Sequence, residues 1–227
     1  DEFCYTPLQV CALRVAKLTN TGAPDPGASN GYVSDALIQA DLGIELEEGD
    51  DFTLKNGCGS SCATFKDCDR IKRATIELEL CQLDSELLSL LIGGTLFTDS
   101  GDTIGMRVPQ LADACPDGVS LELWSKAWNG NAQATPDFLG GSTVAYFHWV
   151  LPRVKFQLGD ITLENEFVRI PVTGFGEENE NLTIDGPYND WQTGVAAGGG
   201  VPSALGWFLT DDLPTAQCGF VTVPATS

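Results

Sequence analysis

From Thr75 to Leu80 the chain alternates strictly: Ile76, Leu78 and Leu80 are apolar, while Thr75, Glu77 and Glu79 are polar or acidic. A period of two puts each set on its own face of an extended strand, a pattern that an α-helix cannot use. This strand reads over Ile71–Leu83. The same period returns from Val119 to Trp128, with Val119, Leu121 and Leu123 on one side and Glu122, Trp124 and Trp128 on the other. Thr143–Leu158, with YFHWV at its centre, reads as an aromatic strand interrupted by Pro152. A turn at Gly159-Asp160 joins it, as a hairpin, to a strand over Asp160–Gly174. Further strands read over Ala12–Leu18, Tyr32–Leu46, Trp207–Leu209 and Cys218–Val223. One segment has helical character. Asp84 caps Ser85–Ile92, Leu87, Leu88, Leu90 and Leu91 form its apolar face, and Gly93-Gly94 ends it. The expected class is therefore mainly β, a sandwich or barrel with one flanking helix at 84–92.

The connections are long. Residues 19–31, TNTGAPDPGASNG, are dense in turn formers. Residues 43–70 run into a polar stretch with Gly49, Gly57 and Gly59 and read as a long loop between the second and third strands. A loop of that length in a folded domain is usually functional. Residues 1–12 read as an irregular N-terminal arm, and 99–118 and 176–206 as loop. No internal repeat or domain boundary interrupts residues 1–227, so one domain is expected.

Charge narrows the function. Twelve Lys+Arg stand against 32 Asp+Glu, a net charge of −20, with acidity in both halves of the chain. High-affinity nucleic-acid binding needs a basic face that displaces counterions from phosphates, and anionic membrane surfaces demand the same. No apolar run reaches the length of about 18 residues that a spanning helix requires. A monomer this acidic repels its own copies, so any assembly must overcome that repulsion.

Nothing in the sequence assembles a catalytic constellation. His148 is the single histidine, and its aromatic neighbours Tyr146, Phe147 and Trp149 favour a packed or interfacial ring over a general base. No G-x-S-x-G elbow accompanies it. The run Cys58-Gly59-Ser60-Ser61-Cys62 echoes a papain-type nucleophile segment but has an extra serine and no following aromatic. Glu47-Glu48-x-Asp50-Asp51 and Glu177-Glu178-x-Glu180 lack the alternating ligands of an EF-hand. No phosphate-binding glycine motif occurs. No catalytic residue, metal site or cofactor is expected. Cys58, Cys62 and Cys68, spaced x3 and x5, leave structural zinc, disulfide pairing in the loop, and free or buried thiols all open.

Several strings carry a family resemblance, in order along most of the chain. They are LRVAKL (13–18), ASNGY (28–32), EEGD (47–50), KNGC (55–58), VLPRVKFQLGDITLEN (150–165) and NENLTIDGPYNDW (179–191). Together the chain resembles the major tail proteins, or tail tube subunits, of long-tailed phages that infect actinobacteria. The resemblance implies a β-sandwich or barrel of the tail-tube type. Its subunits form rings, commonly hexameric, that stack into a hollow non-contractile tube. Such a tube encloses a tape-measure protein, meets tail terminator and distal tail proteins at its ends, and passes DNA without binding it specifically. The implied location is the virion, after assembly in the host bacterial cytoplasm.

In such tubes the long loop contacts the next ring. By resemblance this role falls on Glu47, Glu48, Asp50, Asp51, Phe52, Lys55, Cys58, Cys62 and Phe65. Carboxylates on the lumen would repel passing phosphates. Asp35, Asp41, Glu45, Glu77 and Glu79 are the lumen candidates, because they alternate with apolar residues on strands expected to form the inner sheet. Two rival readings stand beside this one. The first is a secreted β-sandwich carbohydrate-binding module that uses Trp124, Trp128 and Trp191. The second is another tail component of the same fold, such as a tail terminator.

Overall fold

The computed structural model describes residues 5–110, 116–129, 146–163, 168–182, 203–210 and 213–224. Its strands are β1 (Tyr5–Lys17), β2 (Gly27–Ser34), β3 (Leu37–Glu47), β4 (Asp51–Lys55), β5 (Ser61–Lys66) and β6 (Arg70–Leu80). Helix α1 (Ser85–Ile92) follows, then β7 (Thr95–Asp99), β8 (Asp102–Arg107), β9 (Val119–Asn129) and β10 (Tyr146–Leu158). The last strands are β11 (Ile170–Glu177), β12 (Gly206–Thr210) and β13 (Phe220–Val223). The chain is mainly β, and no described helix is long and apolar enough to cross a membrane.

Among the described residues one antiparallel sheet runs in the order β13-β2-β1-β9-β10-β11-β6-β3, with β12 also paired to β10. Strand β10 is long enough to serve two partners on one side: Tyr146–Val150 pair with β12 and Arg153–Leu158 with β11. The sheet bends back on itself, since β3, at one edge, comes against β1. The main apolar cluster is built from Leu13, Val15, Ile76, Leu78, Leu121 and Leu151, with Leu87, Leu88 and Leu91 of α1 packed in, and a smaller one joins Ala16, Val150, Leu182 and Val223.

The helix forms where its capping residues predict. The Asp84 carboxylate accepts from the N–H groups of Glu86 (2.9 Å) and Leu87 (3.1 Å), and Gly93 at φ 76° supplies the left-handed C-cap. Asp84 also accepts from the Tyr32 hydroxyl of β2, which in turn accepts from Gly219 N–H at 3.2 Å. Burial, and the carboxylate it donates to, push the Tyr32 phenol up, so it stays a donor. One carboxylate thus ties the helix to both β2 and the segment entering β13. Asp84→Ala should cost about 2 kcal/mol, from the lost cap and the orphaned hydroxyl. Urea denaturation against wild type measures it, and an unchanged midpoint would show that the cap carries no stability.

Several expected boundaries shift. Residues 5–12 are not an irregular arm. They belong to β1, which pairs with β9 from Tyr5↔Asn129 to Lys17↔Val119, with register shifts between Pro7 and Ala12 that disguise the alternation. Residues 1–4 lie outside the described residues. Strand Tyr32–Leu46 divides at Asp35-Ala36 into β2 and β3, and β2 begins earlier, at Gly27. The 99–118 stretch includes β8, which pairs with β7 in a hairpin turned by Ser100 (φ 53°) and Gly101 (φ 98°). Strand β10 passes through Pro152 at a register shift against β9. Asn179 Nδ2 donates there to Pro152 O (3.1 Å) and to Gly22 O (2.7 Å). The next strand starts at Ile170, so the connection is longer than a turn at Gly159-Asp160.

The largest revision concerns residues 43–70. Gly43–Glu47 finish β3, and β4 and β5 form a ribbon of their own, paired from Asp51↔Lys66 to Lys55↔Ser61. The polarity that suggests a loop reflects a ribbon with solvent on both faces.

Candidate functional site

Strands β3 and β6 pair along their length, from Leu37↔Leu80 to Glu47↔Arg70, and the β4–β5 ribbon continues beyond them as an arm. At the root the ladder is interrupted. Gly49 N–H donates to the Asp69 carboxylate at 3.0 Å and Asp67 N–H to Asp50 O at 3.0 Å. The Gly49 contact, helped by Lys66, holds the Asp69 carboxyl below its ordinary value. Only glycine fits at 49, because a Cβ there would lie 2.2 Å from Asp67 O. A cleft of about 270 Å³ opens at this root, between Glu47, Glu48, Asp50, Asp67, Cys68 and Arg70.

The arm is amphipathic. Phe52 stands opposite Phe65 and Leu54 opposite Ala63, on one face, while Asp51 opposite Lys66 and Thr53 opposite Thr64 occupy the other. The phenyl rings stack with centroids 6.5 Å apart. Yet every residue of β4 and β5 is exposed, Phe52 at 57%, Leu54 at 66% and Phe65 at 63%. An isolated two-stranded ribbon is marginal in water, and large apolar groups left outside mark a contact surface. The structure therefore brings Asp51, Phe52, Lys55, Cys58, Cys62 and Phe65 onto one projecting element, with Glu47, Glu48 and Asp50 at its root. The arm carries more basic than acidic side chains, Lys55 and Lys66 against Asp51. Lys55, Lys66, Arg70, Lys72 and Arg73, five of the 12 basic residues, lie on the arm and the start of β6.

The lumen candidates separate into three groups. Asp41 and Glu77 face each other directly across β3 and β6, exposed and without an ion pair among the described residues. Glu45 and Glu79 share that face but are neutralised. Glu45 takes Arg73 and also Lys72 at 2.9 Å, and the Arg73 hydrogen bond leads in holding its carboxyl below the ordinary value. Glu79 takes Arg169 at 3.0 Å. Asp35 does not alternate on a strand; it lies exposed in the β2–β3 connection. Arg73 also covers the Phe175 ring at 3.9 Å.

A buried charge cluster escapes the sequence reading. Arg14 of β1 forms a bidentate pair with Glu122 of β9, one contact at 2.7 Å, and His148 Nε2 of β10 lies 2.9 Å from the same carboxylate. An ionised carboxylate only accepts, so Nε2 carries the proton. Trp124 stacks on His148 at 4.1 Å, Arg14 lies 5.1 Å over the Trp124 ring, and Phe208 meets the imidazole edge-on at 4.5 Å. His148 and Glu122 are 3% and 1% exposed, so the histidine is packed. The signal in the sequence was Glu122 itself, a carboxylate amid apolar residues, but its partners are 108 and 26 positions away.

Trp124 is likewise buried, at 3%, and its indole N–H has no hydrogen-bond partner among the described residues. It therefore cannot serve a sugar-stacking face. Trp191 and the side chain of Trp128 lie outside the described residues. Cys11 is half-buried, burial pushing its thiol up, whereas Cys58, Cys62, Cys68, Cys81 and Cys218 are exposed, and all six are free thiols rather than disulfides. Cys4 and Cys115 lie outside the described residues.

Comparison with protein-family models gives no match, and comparison with curated protein sequences gives none either.

Proposed function

We propose that this chain is a structural subunit that polymerises as stacked rings into a non-contractile phage tail tube. The observation that carries the reading is the arm: an amphipathic β-ribbon, exposed on both faces, projecting from a mainly β body with one flanking helix. Its apolar face is left exposed by the described residues of the subunit. Its basic residues suit the acidic surface of a neighbouring copy, in a chain whose net charge is −20. In this proposal Phe52, Leu54 and Phe65 dock on the next ring, and Lys55 approaches its carboxylates.

Asp41 and Glu77 are the proposed lumen wall, since of the lumen candidates on strands they are the two without an ion pair among the described residues. The partners are then further copies of the chain, the tape-measure protein inside, terminator and distal tail proteins at the ends, and DNA in transit without specific contact. The location is the virion.

Negative-stain microscopy of the purified chain, concentrated over a range of salt, tests the proposal. Uniform hollow tubes are the expected result. Single rings that never stack would favour a tail terminator. Monodisperse monomers that bind glycans would replace the proposal with a carbohydrate-binding module.

A further inference from the structure

We propose that Cys58 and Cys62, at the tip of the arm, form disulfides with a second copy of this chain and so lock the assembly covalently. The inference rests on the arm docking against a neighbouring copy. Cysteine is among the residue types most often buried, because the thiol behaves as a small hydrophobe. Here five of the six described cysteines are exposed, so packing does not account for them. Two sit where the arm reaches furthest from its own body.

The tip is built to present them. Asn56 Oδ1 accepts from Cys58 N–H at 3.0 Å and Ser60 N–H at 2.9 Å, while Asn56 N–H donates to Ser60 O at 2.8 Å. Gly59, at φ 83°, closes the turn with its N–H on Asn56 O at 2.9 Å. Cys62 lies at the register shift between the Leu54↔Ala63 and Lys55↔Ser61 pairs, so it faces no residue across the ribbon. A Cβ at position 57 or 59 would meet no atom of the described residues within 4 Å, which leaves room for an approaching thiol. No bond joins the two cysteines within the chain.

The chemistry needs an oxidant, and a low-molecular-weight disulfide suffices. A tip thiolate attacks one sulfur of that disulfide, forming a mixed disulfide and releasing one small thiol. A thiolate of the second copy then attacks the protein sulfur, and the second small thiol leaves. Two protein S–H bonds are lost and one S–S bond forms. The two electrons and two protons end on the two small thiols. Unlike ion pairs, the resulting bond does not weaken with salt.

The test treats the full chain, at concentrations used for assembly, with oxidised glutathione. The sample is quenched with iodoacetamide, run on a non-reducing gel and peptide-mapped, with micrographs taken in parallel. Wild type should give a ladder of covalent oligomers that reductant abolishes, with cross-linked peptides containing Cys58 or Cys62. The Cys58→Ser/Cys62→Ser double variant should lose at least ten-fold of the cross-linked fraction, and urea denaturation of its dispersed subunit should match wild type, since both side chains are exposed. A wild type that stays monomeric on the gel, a ladder unchanged in the double variant, or an internal Cys58–Cys62 bond alone would each overturn the lock. Tubes without a ladder would overturn the lock and leave the tube reading standing. A mapped ladder without tubes would support the lock and overturn the tube. Absence of both would remove both.

Discussion

Replacing Phe52 and Phe65 together by serine is expected to leave a folded, soluble chain that no longer assembles at wild-type concentrations. Both rings are more than half exposed, so the subunit's core does not depend on them. Covering the exposed part of a phenylalanine at an interface contributes about 1–1.5 kcal/mol, from area removed from water. Two rings therefore contribute about 2–3 kcal/mol per subunit. That loss raises the concentration required for assembly roughly 30- to 150-fold. Sedimentation and microscopy across a concentration series read the effect, and urea denaturation of the dispersed subunit should move little. Tubes of ordinary length at the ordinary concentration would remove the arm from the contact. Thr53→Ser/Thr64→Ser, on the opposite face of the same ribbon, is the matched control and should assemble normally.

Glu122→Ala should be the most damaging single change to the subunit itself. The carboxylate is buried between Arg14 and His148, and removing it leaves a guanidinium facing a site that no longer compensates it. Breaking a buried pair from one side costs about 3–5 kcal/mol, a large part of the 5–15 kcal/mol that holds an ordinary domain together. Urea denaturation at neutral pH measures it. A loss below about 1 kcal/mol would show that solvent reaches the cluster.

The same carboxylate gives the stability a pH dependence. Burial pushes Glu122 up, but the Arg14 charge and the His148 hydrogen bond outweigh it, so the carboxyl ends below its ordinary value of 4.5. A group lowered on folding contributes stability that is full above its unfolded value and is lost as pH falls through its folded value. Wild type should therefore hold its full Glu122 contribution at neutral pH and lose it only in acid below about pH 4.5. Glu122→Gln should flatten that acid limb. An acid transition identical in the two proteins would exclude Glu122 from it.

These two sites differ in how far the sequence reveals them. The arm residues are contiguous, and Phe52, Lys55 and Phe65 stand out in a polar stretch. What remained hidden was that the stretch is paired. The β4–β5 ladder holds five or six residues a side, and its apolar face has only Phe52, Leu54, Ala63 and Phe65, too short an alternation to separate from loop. The β7–β8 hairpin escaped for the same reason. Residues 5–12 escaped because a bulged register breaks their period of two.

Helix α1 and the alternating strands β6 and β9 were determined by sequence alone, because a cap and a period are properties of neighbouring residues. Asp84 reaches N–H groups two and three positions on, and Ile76, Leu78 and Leu80 share a face whatever they pack against. The acidity was likewise determined before any folding. Tertiary structure decided everything that rests on strand neighbours distant in the chain. It paired Glu45 and Glu79 with cations while leaving Asp41 against Glu77, and it buried Trp124. It also closed Arg14, Glu122 and His148 into one cluster across three strands. The physical reason is that sheet register is a long-range choice: one strand's pattern says which side chains share a face, and only the adjacent strand says what they meet.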